Sequence, residues 1–297
     1  MGRIELEGHD IEISNRDKVF FPASDITKGD LVDYYAKVAD AALPHYRGRA
    51  LTMQRFPDGI AKNGFFQKNA SDYFPDWIET AALEKKDGTV RQVVINGPAT
   101  LVYLANQGMI TPHLGLSRID KVETPDRMIL DLDPADDDFS KVQRAAMRLR
   151  KLFGQHDIES FVQTTGSRGL HVIVPLRRAA TFDEVRGCAQ RIAKTLADAN
   201  SDELTTEQRK TDRRDRVYLD TARNAYGQTA VAPYAVRALP GAPIATPLAW
   251  DEALRPDMTP QKYTIANIFR RLGQTKDPWR DIDKAVSPLQ ALRACER

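Results

Sequence analysis

Asp131 and Asp133 stand two residues apart in the run Arg127-Met128-Ile129-Leu130-Asp131-Leu132-Asp133-Pro134. An apolar, extended stretch leads straight into the two acids, and strand side chains alternate with a period of two. Both carboxylates therefore point to one face of a strand while Leu132 points to the other. Two carboxylates held side by side repel unless a cation lies between them, and hard oxygen donors favour Mg²⁺ or Mn²⁺. Pro134, which has no ladder donor, ends the strand. Metal-assisted phosphoryl chemistry is one reading of this pair. On spacing alone a solvated acid pair at a strand exit is the simpler one, since Asp136-Asp137-Asp138 follows at once.

The elements that must position these acids can be read from pattern. A helix is expected over 28–42, capped by Thr27, with Leu31, Tyr34, Tyr35, Val38 and Ala42 on one face. Strands at 50–55 and 91–95 precede a helix at 98–107 that Gly108 ends. The strand ending at Asp133 leads to a helix over 139–153, stopped by Gly154. Two strands follow, 158–165 and 170–176, joined by Gly166-Ser167-Arg168-Gly169. Thr181 and Glu184 form a capping box for the next helix. The charged stretch 199–215 reads as a mobile loop, 216–220 as a strand ending in Asp220, and 230–237 as an edge-like strand. Two terminal helices are expected near Asp251 and Thr264. Strand, helix, two strands, helix, strand describes a mixed β-sheet backed by helices, an α+β class with an N-terminal α/β subregion.

Composition narrows the possibilities. The 297 residues are 42% hydrophobic and 28% charged, which is ordinary for a globular chain. A net charge of +2 gives no global pull on a polyanion, so any basic surface must be local. Cys188 and Cys295 are too few for a disulfide framework or a cysteine-rich zinc site. No apolar run approaches the roughly 18 residues of a membrane span, and no signal-peptide core is visible. A soluble, cytoplasmic protein without a membrane partner is the expectation.

Three segments carry the chemistry. They are Asp131-Leu132-Asp133, the turn Thr165-Gly166-Ser167-Arg168-Gly169-Leu170-His171, and Val217-Tyr218-Leu219-Asp220-Thr221-Ala222-Arg223. In that order they match the motifs of the archaeo-eukaryotic primase superfamily. The wording Asp-Leu-Asp-Pro, Gly-Leu-His-Val-Ile-Val-Pro-Leu (169–176) and Ala-Pro-Tyr-Ala-Val-Arg (232–237) closely resembles the polymerase (primase-polymerase) domain of bacterial DNA ligase D, from about Ile11 to Asp281.

The resemblance implies a primase-like, RRM-like catalytic core and a single domain over 1–297. Its parts would be an N-terminal subregion to about 120, a core over 121–240 and a helical segment over 241–297. It implies a DNA-dependent DNA/RNA polymerase that fills gapped or recessed ends in end joining or gap repair, preferring ribonucleotides. The cofactors would be two Mn²⁺ or Mg²⁺ ions and the substrates NTPs or dNTPs. DNA with a gap, overhang or break and a 5′-phosphate would be the partner, with Ku and a DNA ligase, in the bacterial cytoplasm at the nucleoid.

Roles follow residue by residue. Asp131 and Asp133 would bridge the metals and Asp220 would complete the site. His171 would sit over the triphosphate, Thr165 and Ser167 near the sugar, and Arg168 where the family carries a lysine. Arg223 and Arg237 would meet phosphates, and His113 matches the family's active-site histidine. Of Phe65 and Phe66, one would stack on a base and the other is expected in the core, since adjacent strand residues face opposite sides. Asn15, Lys18 and Lys28 resemble the segment that holds a 5′-phosphate, and Arg213, in the basic run 209–216, a loop that meets the second DNA end or the primer.

Without the resemblance these residues carry less: a strand-end aspartate is usually a turn residue, and two lysines ten apart are surface charges. Two other readings are a DxD glycosyltransferase and a non-catalytic scaffold that bridges phosphorylated ends. The glycosyltransferase has no use for the lysines or the third acid, and the scaffold has none for three carboxylates. No ligase lysine motif or histidine-rich nuclease segment is present, and a stand-alone relative and an excised domain both fit.

Overall fold

Leu132 and Leu130 alternate with Asp131 on the strand Arg127–Asp133, and that alternation organises a six-stranded sheet. The protein is described here by a computed structural model covering residues 2–85 and 87–296. The chain divides into two compact units, one holding the residues to Asp120 with Thr229–Ala245 and Tyr263–Thr275, the other Lys121–Gln228, Thr246–Lys262 and the residues from Lys276.

In the second unit the sheet order is Leu204–Thr205, Val217–Asp220, Arg127–Asp133, Leu170–Pro175, Phe161–Thr164 and Pro247–Leu248. Only the first pair is parallel. Cross-strand register places Leu219, Leu132 and Leu170 in one apolar row and Leu130, Val172 and Val162 in the next, all fully buried. Helices Phe139–Gly154 and Phe182–Asp198 pack on this sheet. The second is capped as expected, with Thr181 accepting from the Glu184 amide and Glu184 accepting from the Thr181 amide. The mixed sheet with helices agrees with the α+β class read from sequence.

Two expectations are corrected here. The stretch 199–215 supplies the edge strand Leu204–Thr205 and a single helical turn, Lys210–Arg213. A lone leucine among polar and charged residues gives no periodic signal, so the sequence there reads as a loop. The segment after Gly241 has helices near both expected places, Trp250–Ala253 and Ile268–Leu272, with a third at Leu289–Leu292, but each is only four or five residues long. Prolines at 243, 247, 256, 260, 278 and 288 interrupt it, and each removes a helix donor.

The first unit has a four-stranded sheet in the order Thr229–Val231, Met109–Gly115, Leu51–Arg55, Phe65–Gln67. Helices Lys28–Tyr46 and Pro98–Asn106 pack against each other within its core. Three buried tyrosines are fixed by hydroxyl donation to carbonyls: Tyr34 to Tyr234 (2.6 Å), Tyr35 to Ile110 (2.6 Å) and Tyr46 to Pro233 (2.9 Å). Buried phenols need such partners. An N-terminal hairpin, Gly2–Leu6 with His9–Ile13, turns through Glu7 and Gly8, both at positive φ. No helix among the described residues is long and apolar enough to cross a membrane.

Candidate metal centre and anion recess

The face opposite the leucine rows carries a polar row. Asp220, Asp131, His171 and Gln163 lie directly opposite one another on four adjacent strands. Asp133, two residues past Asp131, shares that face. One carboxylate oxygen from each of Asp131, Asp133 and Asp220 lies within 4.8 Å of the others.

Burial and partners differ among the three. Burial pushes the Asp131 carboxyl up, but His171 and Arg223 outweigh it and hold the group below its usual range. His171 Nε2 is 3.4 Å from Asp131 Oδ1 and Arg223 Nε is 3.5 Å from Oδ2. Burial, then the charges of Asp131 and Asp220, push Asp133 up to about 6. Asp220 Oδ1 accepts from the Ala222 amide at 2.7 Å and from the Tyr218 hydroxyl at 3.4 Å.

Three oxygens from three acids, one raised in pKa by burial and then by its neighbours, could hold a divalent cation. Asp131 Oδ1 is buried and meets only His171 Nε2, at 3.4 Å and without a well-aligned hydrogen bond, so an ion would satisfy it better. The residues fit such an ion.

Residues that sequence reasoning passed over hold the row in place. Gln163 Nε2 is 3.2 Å from His171 Nδ1; with the amide donating, the imidazole proton lies on Nε2, toward Asp131. A glutamine inside an apolar strand eight residues before His171 was the available signal. Asn224 accepts from the Ile129 amide (2.9 Å) and donates to its carbonyl (2.7 Å), continuing the pairing of the central strand beyond Asp220. Tyr218 lies opposite Asp133, under the Arg213 guanidinium at 3.9 Å. Burial and then Asp220 push its phenol up to about 12.

The turn after Thr164 arranges the other candidates. The Thr165 hydroxyl donates to the Gly169 carbonyl (3.2 Å) and accepts from the amides of Ser167 (3.3 Å) and Gly169 (3.2 Å), so it braces the turn from inside. Ser167 and Arg168 stand at the tip, with Arg168 exposed. Arg213 donates to the carbonyls of Glu207 (3.1 Å) and Gln208 (2.7 Å) in its own loop.

The remaining candidates belong to the first unit. Asn15, Lys18 and Lys28 line one recess of about 160 Å³, with Arg55, Asn106 and Gln107 on its walls. Among the described residues its lining has three cations and three amides but no acid. Lys28 is buried, donating to the Ser14 carbonyl (2.7 Å) and hydroxyl (3.0 Å). Desolvation and then Lys18 lower its pKa to about 8. Lys18 donates to the Pro57 carbonyl (2.9 Å) and pairs with Asp58. A half-buried cation pair with amide donors suits an anion.

Phe65 and Phe66 are both exposed, 47% and 63%, which corrects the expectation of one core phenylalanine. They do face opposite sides, but their three-residue edge strand is covered on neither. Phe66 meets His113 edge to face at 5.5 Å, whereas Phe65 lies under the Arg55 guanidinium at 5.6 Å. Arg237 is partly buried beyond the strand Thr229–Val231, its amide donating to Pro243.

Comparison with known proteins bears on this geometry. The family described as LigD, primase-polymerase domain, matches residues 27–279. The multifunctional non-homologous end joining protein LigD of Mycolicibacterium smegmatis is 32% identical over 282 residues, covering 94% of this chain and 37% of that protein. The bifunctional LigD of Bacillus subtilis is 32% identical over 286 residues, 95% of this chain and 46% of that protein. The chain thus spans less than half the length of these relatives. The polymerase domain of Mycobacterium tuberculosis ligase D, solved in complex with DNA, superposes with a TM-score of 0.87 at 27% identity, covering 93% of this chain and 99% of that one. With the motifs around Asp131, His171 and Asp220 inside the matched span, the chain belongs to the LigD primase-polymerase domain family.

Proposed function

We propose that the chain is a metal-dependent DNA/RNA polymerase domain that extends a 3′-hydroxyl at gapped or recessed DNA ends. The observation that carries this is the convergence of Asp131, Asp133 and Asp220 to within 4.8 Å on one sheet face, with His171 and Arg223 beside Asp131. In the reaction the 3′-oxygen attacks the α-phosphorus of a nucleoside triphosphate, loses its proton, and pyrophosphate leaves. Two bound Mn²⁺ or Mg²⁺ ions would acidify the attacking hydroxyl and neutralise the leaving group. Asp131, Asp133 and Asp220 would hold them.

The side chains divide the remaining work. His171, with its Nε2 proton toward Asp131, keeps that carboxylate oriented beneath the triphosphate. Arg223 adds a half-exposed cation, and Arg168 and Arg237 offer others for phosphate. Ser167 at the turn tip, the neighbour of the engaged Thr165, contacts the sugar and sets a preference for ribonucleotides. Phe66, with His113 behind it, stacks on a base, a contact open to any sequence. Arg213 steadies the loop that meets the primer or second end.

Asn15, Lys18 and Lys28 hold the 5′-phosphate across the gap. The names of the relatives support a role in end joining; Ku and a DNA ligase as partners, and the bacterial cytoplasm as the place, are part of the same proposal. The chain is read as one primase-polymerase domain. Extension of a gapped duplex in Mn²⁺, with each of NTP and dNTP, tests the reading; failure to incorporate either would refute it.

A further inference from the structure

Arg55 fastens one wall of the anion recess to two exposed aromatic rings. It is buried, and it donates from Nε (3.0 Å) and Nη2 (2.6 Å) to the carbonyl of Gln107, which lines the recess. From Nη1 it donates to Gln67 Oε1 (2.7 Å) and to the Tyr73 hydroxyl (3.2 Å). The Phe65 ring lies beneath the same guanidinium. Nearly all its donors are engaged, so Arg55 positions its neighbours and lends charge to the recess wall.

Tyr73 is 61% exposed, so much of its ring is open to a partner. The turn that carries it is braced throughout. Gln67 Nε2 donates to the Asn69 carbonyl (2.8 Å) and Ser71 hydroxyl (2.9 Å), and Arg91 pairs with Asp72 at 3.0 Å. The ring itself is held at its hydroxyl by Arg55 and against Phe74, at 5.1 Å and perpendicular. An aromatic ring so constrained loses little freedom when a flat partner stacks on it.

We propose that Tyr73, positioned by Arg55, stacks on the terminal nucleobase of a 5′-phosphorylated strand whose phosphate occupies the recess. The inference rests on reading that recess as a 5′-phosphate site. The occupant follows from the chemistry of the wall: an anion site on one side of Arg55, a ring on the other, and only a sugar separating the phosphate from the base of a 5′-terminal nucleotide. Stacking does not depend on base identity, as an end-filling protein requires.

The test is the affinity of the full chain for a gapped duplex bearing a 5′-phosphate, measured by fluorescence anisotropy. The 5′-terminal nucleotide of the downstream strand is either intact or abasic. Tyr73→Ala should weaken binding to the intact end by about fivefold or more. The abasic substitution should weaken wild type by a similar factor and add nothing to Tyr73→Ala. Tyr73→Phe, which keeps the ring but loses the Arg55 hydrogen bond, should lose clearly less affinity for the intact end than Tyr73→Ala. Equal loss on intact and abasic ends, or no loss, with a retained preference for 5′-phosphate over 5′-hydroxyl, overturns the stacking inference alone. Absence of that preference in wild type overturns the recess reading beneath it.

Discussion

Gly169 presses on the carbonyl oxygen of Leu132, the residue between Asp131 and Asp133. A Cβ at position 169 would lie 2.0 Å from that oxygen and 3.1 Å from its carbon. The backbone of Gly169 is not in the left-handed region, so closeness alone demands glycine. The contact locks the Thr165–Gly169 turn against the strand end that carries the acids. Gly169→Ala should push them apart and separate His171 from Asp131. Overpacking of this kind costs about 1–3 kcal/mol. A lowered Tm together with a loss of extension beyond about a hundredfold is expected; wild-type values for both would deny the contact its role.

The three acids make metal binding pH-dependent. With Asp133 pushed up to about 6, the ion-free site below that pH holds a proton that the cation must displace. Mn²⁺ affinity should therefore rise with pH through about 6 and level off above it. A raised carboxyl pKa stabilises the ion-free fold below the ordinary aspartate range, and that contribution is lost as pH rises through about 6. The gain in Tm on adding Mn²⁺ should accordingly be larger at pH 7.5 than at pH 5. Calorimetric titration and melting curves at the two pH values measure both effects, and a pH-independent affinity would place the ion elsewhere.

The recess should separate from chemistry. Lys18→Ala combined with Lys28→Ala should abolish the preference for a 5′-phosphate over a 5′-hydroxyl gap. If the two lysines together supply the net worth of one charge-assisted contact, roughly 1.5–3 kcal/mol, that preference is about ten- to a hundredfold. Because desolvation brings Lys28 down to about 8, the preference should also decline as pH rises past that value. Full preference in the double variant would move the phosphate to another surface.

On the proposed function, a ribonucleotide preference would turn on Ser167. The Thr165 hydroxyl is spent on the Gly169 carbonyl and two amides, so Thr165→Val should damage the turn and depress NTP and dNTP use alike. Ser167→Ala should narrow the NTP-to-dNTP ratio, by a few-fold to about tenfold for one hydrogen bond. Incorporation of rGTP against dGTP opposite a matched template gives the ratio, and an unchanged value in Ser167→Ala would exclude that hydroxyl.

Much of the metal centre was legible because short-range rules fix it. Period-two alternation put Asp131 and Asp133 on one face, and the glycine turn returned His171 beside them. What escaped depends on long-range register. Gln163, Tyr218 and Asn224 join the candidate site only because cross-strand pairing sets each against His171, Asp133 or Ile129. Arg55 likewise gains meaning from Gln107 and Tyr73, residues that no spacing rule connects to it. The N-terminal hairpin was within reach: Ile4 and Leu6, then Ile11 and Ile13, alternate with charge around Glu7-Gly8. The exposure of both phenylalanines was not, because a three-residue edge strand carries no signal of whether anything covers it.

The most direct test of the account is single-nucleotide incorporation into a gapped, 5′-phosphorylated duplex in Mn²⁺, comparing wild type with Asp131→Asn and Asp133→Asn. Each variant keeps side-chain volume while removing a charge from the ion-binding face. The account predicts robust incorporation by wild type and a loss of at least about a thousandfold, some 4 kcal/mol, in each variant, with 5′-phosphate binding intact. Incorporation by either variant within about tenfold of wild type would contradict it.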